Sequence, residues 1–182
     1  MNVKYDDWGW HTGGVFPADQ PQINGFTHIG MYLVWLIKHD LSNPELHDGR
    51  EVSEVKAGTI TAHDLADAID GKLTADDMAP EGKAFSDWYY SPEGNPAYLA
   101  DWANTFRNQP NYTVGDTPDN YAKIERVIDA RLEQWTAAGH DGSGSSAAEA
   151  LCALERAAAT SSRTRWVESW ERLATPELRS WM

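Results

Sequence analysis

One fourteen-residue stretch constrains this chain more than any other. THIGMYLVWLIKHD, residues 27 to 40, carries Ile29, Met31, Tyr32, Leu33, Val34, Trp35, Leu36 and Ile37, and on a helix these cover nearly every face rather than a single stripe. A helix that is apolar all round is stable only at the centre of a fold, so the remaining elements have to wrap it. Thr27 is expected to cap its first turn. A chain of 182 residues is long enough to bury such a core in one domain, and nine tryptophans supply much of it. With 41% hydrophobic and 24% charged residues the composition is globular rather than disordered.

The wrapping elements read as helices. Residues 41 to 60 hold Pro44, Gly49 and Gly58 and predict a loop with at most one short helix. In TAHDLADAIDGKLTADD, Thr61 precedes Asp64 and Thr74 precedes Asp77 at capping-box spacing, and Gly71 is expected to end the first of the two helices so begun. KAFSDWYY, residues 83 to 90, continues helically. Pro96 suits a first helical position behind Asn95, ahead of Tyr98, Leu99, Trp102 and Phe106. From Thr117 to Gly139 a cap, a Pro in the first turn and the stripe Tyr121, Ile124, Ile128, Leu132 and Trp135 specify a long helix. YTV at 112 to 114 is at most a short extended piece, and no alternating run long enough to build a sheet occurs. The expectation is a mostly α-helical, compact multi-helix domain over residues 1–138 with at most a minor β element.

GHDGSGSS, residues 139–146, has the composition of a flexible linker, and residues 147–182 are expected to form a helical C-terminal extension. The extension is nearly neutral, with six acids and five arginines from 139 to 182. Its tryptophans Trp166 and Trp170 are expected to pack back on the body or to form a homodimer contact. Cys152, the only cysteine, has no internal disulfide partner and reads as a small packed residue.

The net charge is -13, which repels both nucleic-acid backbones and anionic membranes and favours a cationic protein partner. No stretch has the length of a membrane span and MNVKYDDWGW lacks a secretory signal pattern, so a cytoplasmic location is expected. Residues 64 to 119 carry 11 acids against Lys72, Lys83 and Arg107. Within this stretch Asp76, Asp77, Asp87, Asp101 and Asp116, with exposed members of Trp88, Tyr89 and Tyr90, are the expected partner-binding residues.

Chemistry, if the chain performs any, points to YDDWGWHTGGVFP, residues 5 to 17. Asp6, Asp7 and His11, joined by His28 from the first turn of the apolar helix, would offer two imidazoles and carboxylates to a metal ion. The spacing is not that of HExxH or paired CxxC motifs. The competing interpretation is structural: an aspartate accepts backbone N–H groups in a turn, Gly13 and Gly14 adopt positive φ, and His28 is held neutral by the helix N-terminus. No GxSxG, GxxxxGK[ST] or GxGxxG pattern occurs, so no catalytic residues and no cofactor are assigned. His39, His47, His63 and His140 stand in polar contexts and are expected at the surface.

Together, YDDWGWHTGGVFP, THIGMYLVWLI, DGKLTADDMAPEGKAFSDWYY and VGDTPDNYAKIERVIDARLEQW resemble a bacterial domain-of-unknown-function family over about residues 4–136. Val15, Ala79-Pro80 and Pro118 stand where that pattern has Asp, Asn-Glu and Trp, and the first difference removes a carboxylate from the N-terminal set. The resemblance implies no activity. Small acidic bacterial proteins of this kind look like immunity proteins, and the leading expectation is a non-enzymatic immunity protein that neutralises a toxin domain. The alternative is a small metal-dependent enzyme or ligand-binding protein using the N-terminal Asp/His cluster.

Overall fold

A computed structural model describes residues 3–14, 16–91, 97–110 and 112–140, with the backbone alone at 47–48. Strand β1 (Lys4–Asp7) leads into the single-turn helix α1 (Trp8–Thr12). A 3₁₀ turn over Gln22–Phe26 runs straight into α2 (Thr27–Lys38). Then follow α3 (Arg50–Ala57), strand β2 (Lys72–Thr74), α4 (Pro80–Tyr89), α5 (Ala97–Thr105) and α6 (Pro118–Ala137). The architecture is mostly α, with one two-stranded antiparallel ribbon. None of the described helices is long and apolar enough to cross a membrane.

Every residue of α2 from Thr27 to Ile37 is buried, as its unbroken apolar sequence requires. Its few polar groups are met by the helices around it. Tyr32 pairs its hydroxyl with Ser86 of α4 at 2.9 Å, Trp35 donates Nε1–H to Asp129 of α6 at 2.8 Å, and Tyr98 of α5 donates to the His28 carbonyl at 2.7 Å. Contact with α2 is close at Gly30, where a Cβ would lie 2.6 Å from the Ala62 carbonyl oxygen. The 61–66 segment therefore presses backbone to backbone on α2, and only glycine leaves room for it.

Several local expectations change. Thr27 is not a cap: the preceding 3₁₀ turn already puts Phe26 in helical conformation, and the Thr27 hydroxyl pairs with His63 Nε2 at 2.8 Å instead. The helix expected from Thr61 to Gly71 shrinks to a 3₁₀ turn at His63–Leu65 followed by turns. Thr61 and Asp64 do make their side-chain bonds, at 2.7 and 3.0 Å, but the chain has to reverse before β2. Residues 72–74 form that strand because they pair with β1, Asp6 standing opposite Leu73 and Asp7 opposite Lys72. The capping box of Thr74 and Asp77 forms as expected, on a 3₁₀ turn. The helix expected to run from Thr74 through residues 83–90 is interrupted, because Met78 and Ala79 are extended and α4 begins only at Pro80.

Thr117 caps α6 by accepting the Asn120 N–H, and Tyr121, Ile124, Ile128 and Trp135 are buried. The expected helix start at Pro96, the substituted Val15, and the linker and C-terminal extension beyond His140, with Cys152 and the dimer contact, lie outside the described residues.

Candidate functional site

The site is built from the first strand. Along a regular strand Tyr5 and Asp6 would face opposite sides, yet both are buried. The β1–β2 register slips between Lys4 and Asp6, and such an irregularity re-aims a side chain. Asp6 is thereby turned into the core. Asp7 next accepts the Gly9 N–H at 2.8 Å as the cap of α1, and that one turn carries His11 back over Asp6.

Four donors converge on the Asp6 carboxylate. His11 Nε2 lies 2.8 Å from Oδ1, which also accepts the Asp7 N–H at 2.7 Å. His28 Nε2 lies 3.1 Å from Oδ2, to which the Tyr90 hydroxyl donates at 2.5 Å. An ionised carboxylate only accepts, so both imidazoles carry their proton on Nε2. The two rings stand edge to face with centroids 4.4 Å apart, and Trp102 closes the far side of His28 at 5.9 Å. Exposure is 2% for Asp6, 7% for His11 and 1% for His28, so the cluster is sealed from solvent.

Burial alone would drive Asp6 toward the neutral acid, but the hydrogen bonds and charge of His11 and His28 outweigh it and hold the carboxyl well below the usual carboxylate range. Burial, with the nearby His11, pushes His28 below its ordinary value against the pull of Asp6, which favours neutral imidazole. The Tyr90 hydroxyl is raised by burial and by the Asp6 charge, so it stays a donor. The arrangement is a buried anion ringed by donors. Its parts also fit a metal ion, because Asp6, His11 and His28 each present a ligand atom and these atoms lie within 4.8 Å of one another.

Of the four residues expected to share a metal, three meet. Asp7 does not join them, since it caps α1 and pairs with Lys4 at 2.6 Å. Gly13 has φ -76°, and neither it nor Gly14 adopts positive φ. Gly13 is required for a different reason: a Cβ there would lie 2.8 Å from the Gly9 carbonyl oxygen.

The expected partner-binding residues scatter in their roles. Tyr90 belongs to the buried cluster, and Tyr89 is buried with its hydroxyl on Asp101 at 2.9 Å. Neither is available to a partner, because Tyr89 packs against α2 and α5 and Tyr90 turns into the Asp6 cluster. Trp88 is the exposed member, at 38%. Asp101 is tied to Arg131 by two bonds of 2.7 and 3.0 Å, and Asp87 accepts from Tyr5 and Lys83, both at 2.6 Å. Asp77 is spent in its capping box, Asp76 is exposed, and Asp116 accepts the His63 N–H at 2.7 Å. His63 is half-buried rather than at the surface, held by Thr27 and Asp116.

Tyr90 is the cluster member that sequence reasoning placed elsewhere. The run of paired aromatics in DWYY hides which ring turns inward. No curated protein and no solved structure matches the chain. The profile of the domain of unknown function DUF7832 matches residues 4–114, which include Asp6, His11, His28 and Tyr90 and stop before α6, and the chain belongs to that family.

Proposed function

We propose that this protein is a non-enzymatic binding protein, acting as a bacterial cytoplasmic immunity protein that neutralises a cationic toxin domain by docking an acidic face on it. The observation that carries the reading is the gathering of exposed aspartates around His63. Asp64, Asp67 and Asp70 are spaced three apart and exposed, while Leu65, Ala66 and Ile69 between them are buried. Asp116 accepts the His63 N–H, which brings the start of α6, with exposed Asp119, to the same edge.

Neither residues 61–71 nor residues 115–122 contain a lysine or arginine, and Lys72, just beyond, is paired with Asp70. Residues 1–138 hold 22 acidic and ten basic residues, so they carry -12 of the net charge of -13. Such a surface speeds association with a positively charged protein and disfavours nucleic acid and anionic membranes. It keeps Asp116 from the expected partner-binding set and adds Asp64, Asp67 and Asp119. The enzyme alternative requires a substrate to reach Asp6, His11 and His28, and the burial of all three weighs against it.

Co-expression with the product of an adjacent gene, followed by purification through a tag on this chain, tests the reading. The expected result is a one-to-one complex that loosens as salt is raised and when Asp67→Lys and Asp119→Lys are combined, with rescue of a strain expressing that product. Recovery of this chain alone, without rescue, overturns it.

A further inference from the structure

We propose that Asp6, His11 and His28 form a binding site for a divalent transition-metal ion of the zinc type, which locks the N-terminal strand and α1 to the central helix. Two imidazoles and a carboxylate are a donor set that such ions select. The candidate ligand atoms already lie within 4.8 Å of one another. An ion about 2.1 Å from each donor in a tetrahedral array spaces the donors about 3.4 Å apart. His11 Nε2 lies 2.8 Å from Oδ1 and His28 Nε2 3.1 Å from Oδ2, so each imidazole stands slightly inside that spacing from its own oxygen. A turn of the carboxylate with a small outward shift of the rings places one oxygen and both nitrogens around an ion.

The carboxylate is already supported from outside the triad. The Asp7 N–H on Oδ1 and the Tyr90 hydroxyl on Oδ2 fix the carboxylate from outside the triad, the role that outer hydrogen bonds play around protein-bound metals. Ligation through Nε2 requires that nitrogen to release its proton. His11 Nδ1 is buried and has no hydrogen-bond partner among the described residues, so the proton can move there without breaking a bond to the protein. The orphaned nitrogen shows that the ring is held from one side only. Three protein ligands leave a fourth position open, as catalytic zinc sites do, but the three residues are sealed from solvent, so a substrate has no path to the ion and its role here is to hold the fold. It cross-links residues that lie five and 22 positions apart in the chain.

The test uses the full chain, stripped with a chelator, desalted and titrated with zinc(II) or cobalt(II) alone. Expected are one ion per chain, a higher melting temperature with zinc, and paramagnetically shifted protons from two imidazoles in the cobalt form. Tyr90→Phe should weaken binding by about tenfold to a hundredfold, and His11→Gln should abolish it. The pair Glu81→Gln and Glu133→Gln, exposed on α4 and α6 and outside both the cluster and the acidic face, should leave binding unchanged. Absence of stoichiometric uptake with unchanged melting overturns the proposal, as does binding that survives His11→Gln or vanishes with the surface pair. Should His11→Gln not fold, the cobalt spectrum of the unaltered chain decides: two shifted imidazoles support the site, and none overturns it.

Discussion

Aspartate meets two opposite fates in this molecule. At the N-terminus Asp6 is a buried anion that accepts four hydrogen bonds; around His63, Asp64, Asp67 and Asp70 stand in water. The first situation concentrates a large, local free energy in one side chain, since a buried charge is tolerable only when its donors are complete. The second spreads a small, salt-screened effect over several side chains that act together at a distance. A count of aspartates cannot separate the two roles. What separates them is whether the backbone aims donors at the carboxylate, as the slipped register of β1 and the turn of α1 do, or whether a three-residue spacing turns it outward.

The comparison breaks most sharply at Asp6. Asp6→Asn puts an amide N–H₂ among groups that already donate, and chemical denaturation should show a loss of about 3–5 kcal/mol; a loss under about 1 kcal/mol would mean that the cluster is not the anchor described. Gly13→Val comes next. Its side chain meets the Gly9 carbonyl oxygen, and a drop of about 1–3 kcal/mol is expected, against no change in melting if the α1 turn yields freely.

Acid should act on the buried region ahead of the surface. His28 and His63 are both held below their ordinary value of 6.5, chiefly by burial, so in the metal-free protein the unfolded chain binds more protons than the folded one once pH falls below that value. Stability is full above about pH 6.5 and declines as pH drops toward the lowered folded values, by up to about 1.4 kcal/mol per pH unit for each histidine. Asp6, with its carboxyl depressed from 3.8, extends the loss with the same sign at lower pH. Denaturation midpoints across this range check it, and His28→Gln should flatten the slope by about one proton. The smallest stability effect belongs to Asp67→Asn, within about 0.5 kcal/mol, and its consequence should appear instead as slower partner association.

Much of the fold is legible in the sequence, because the strongest signals there are local. The apolar run of α2, the capping Thr117 and the Thr74–Asp77 box all act within a few residues of themselves. What escapes local reading depends on distant partners. Residues 72–74 are a strand only because β1 lies alongside, and Thr27 loses its capping role because residues 22–26 have already coiled. For the site, the residue types and three of the four expected members could be named from YDDWGWH and THIGM. Tyr90, separated from Asp6 by 84 positions, could not, since nothing in DWYY distinguishes the ring that faces the core. The acids at 64, 67 and 70 carry their shared outward direction in their three-residue spacing, but the helix signals at Thr61 and Gly71 and the high count of acids along the chain mask it.

The reach from Asp6 to Tyr90 also orders events during synthesis. The carboxylate emerges from the ribosome long before the phenol that completes its shell, and β1 emerges before the strand it pairs with. A nascent chain halted before β2 would therefore leave its first strand unpaired and open to proteases, and one halted between β2 and Tyr90 would pair that strand but leave the Asp6 carboxylate one donor short.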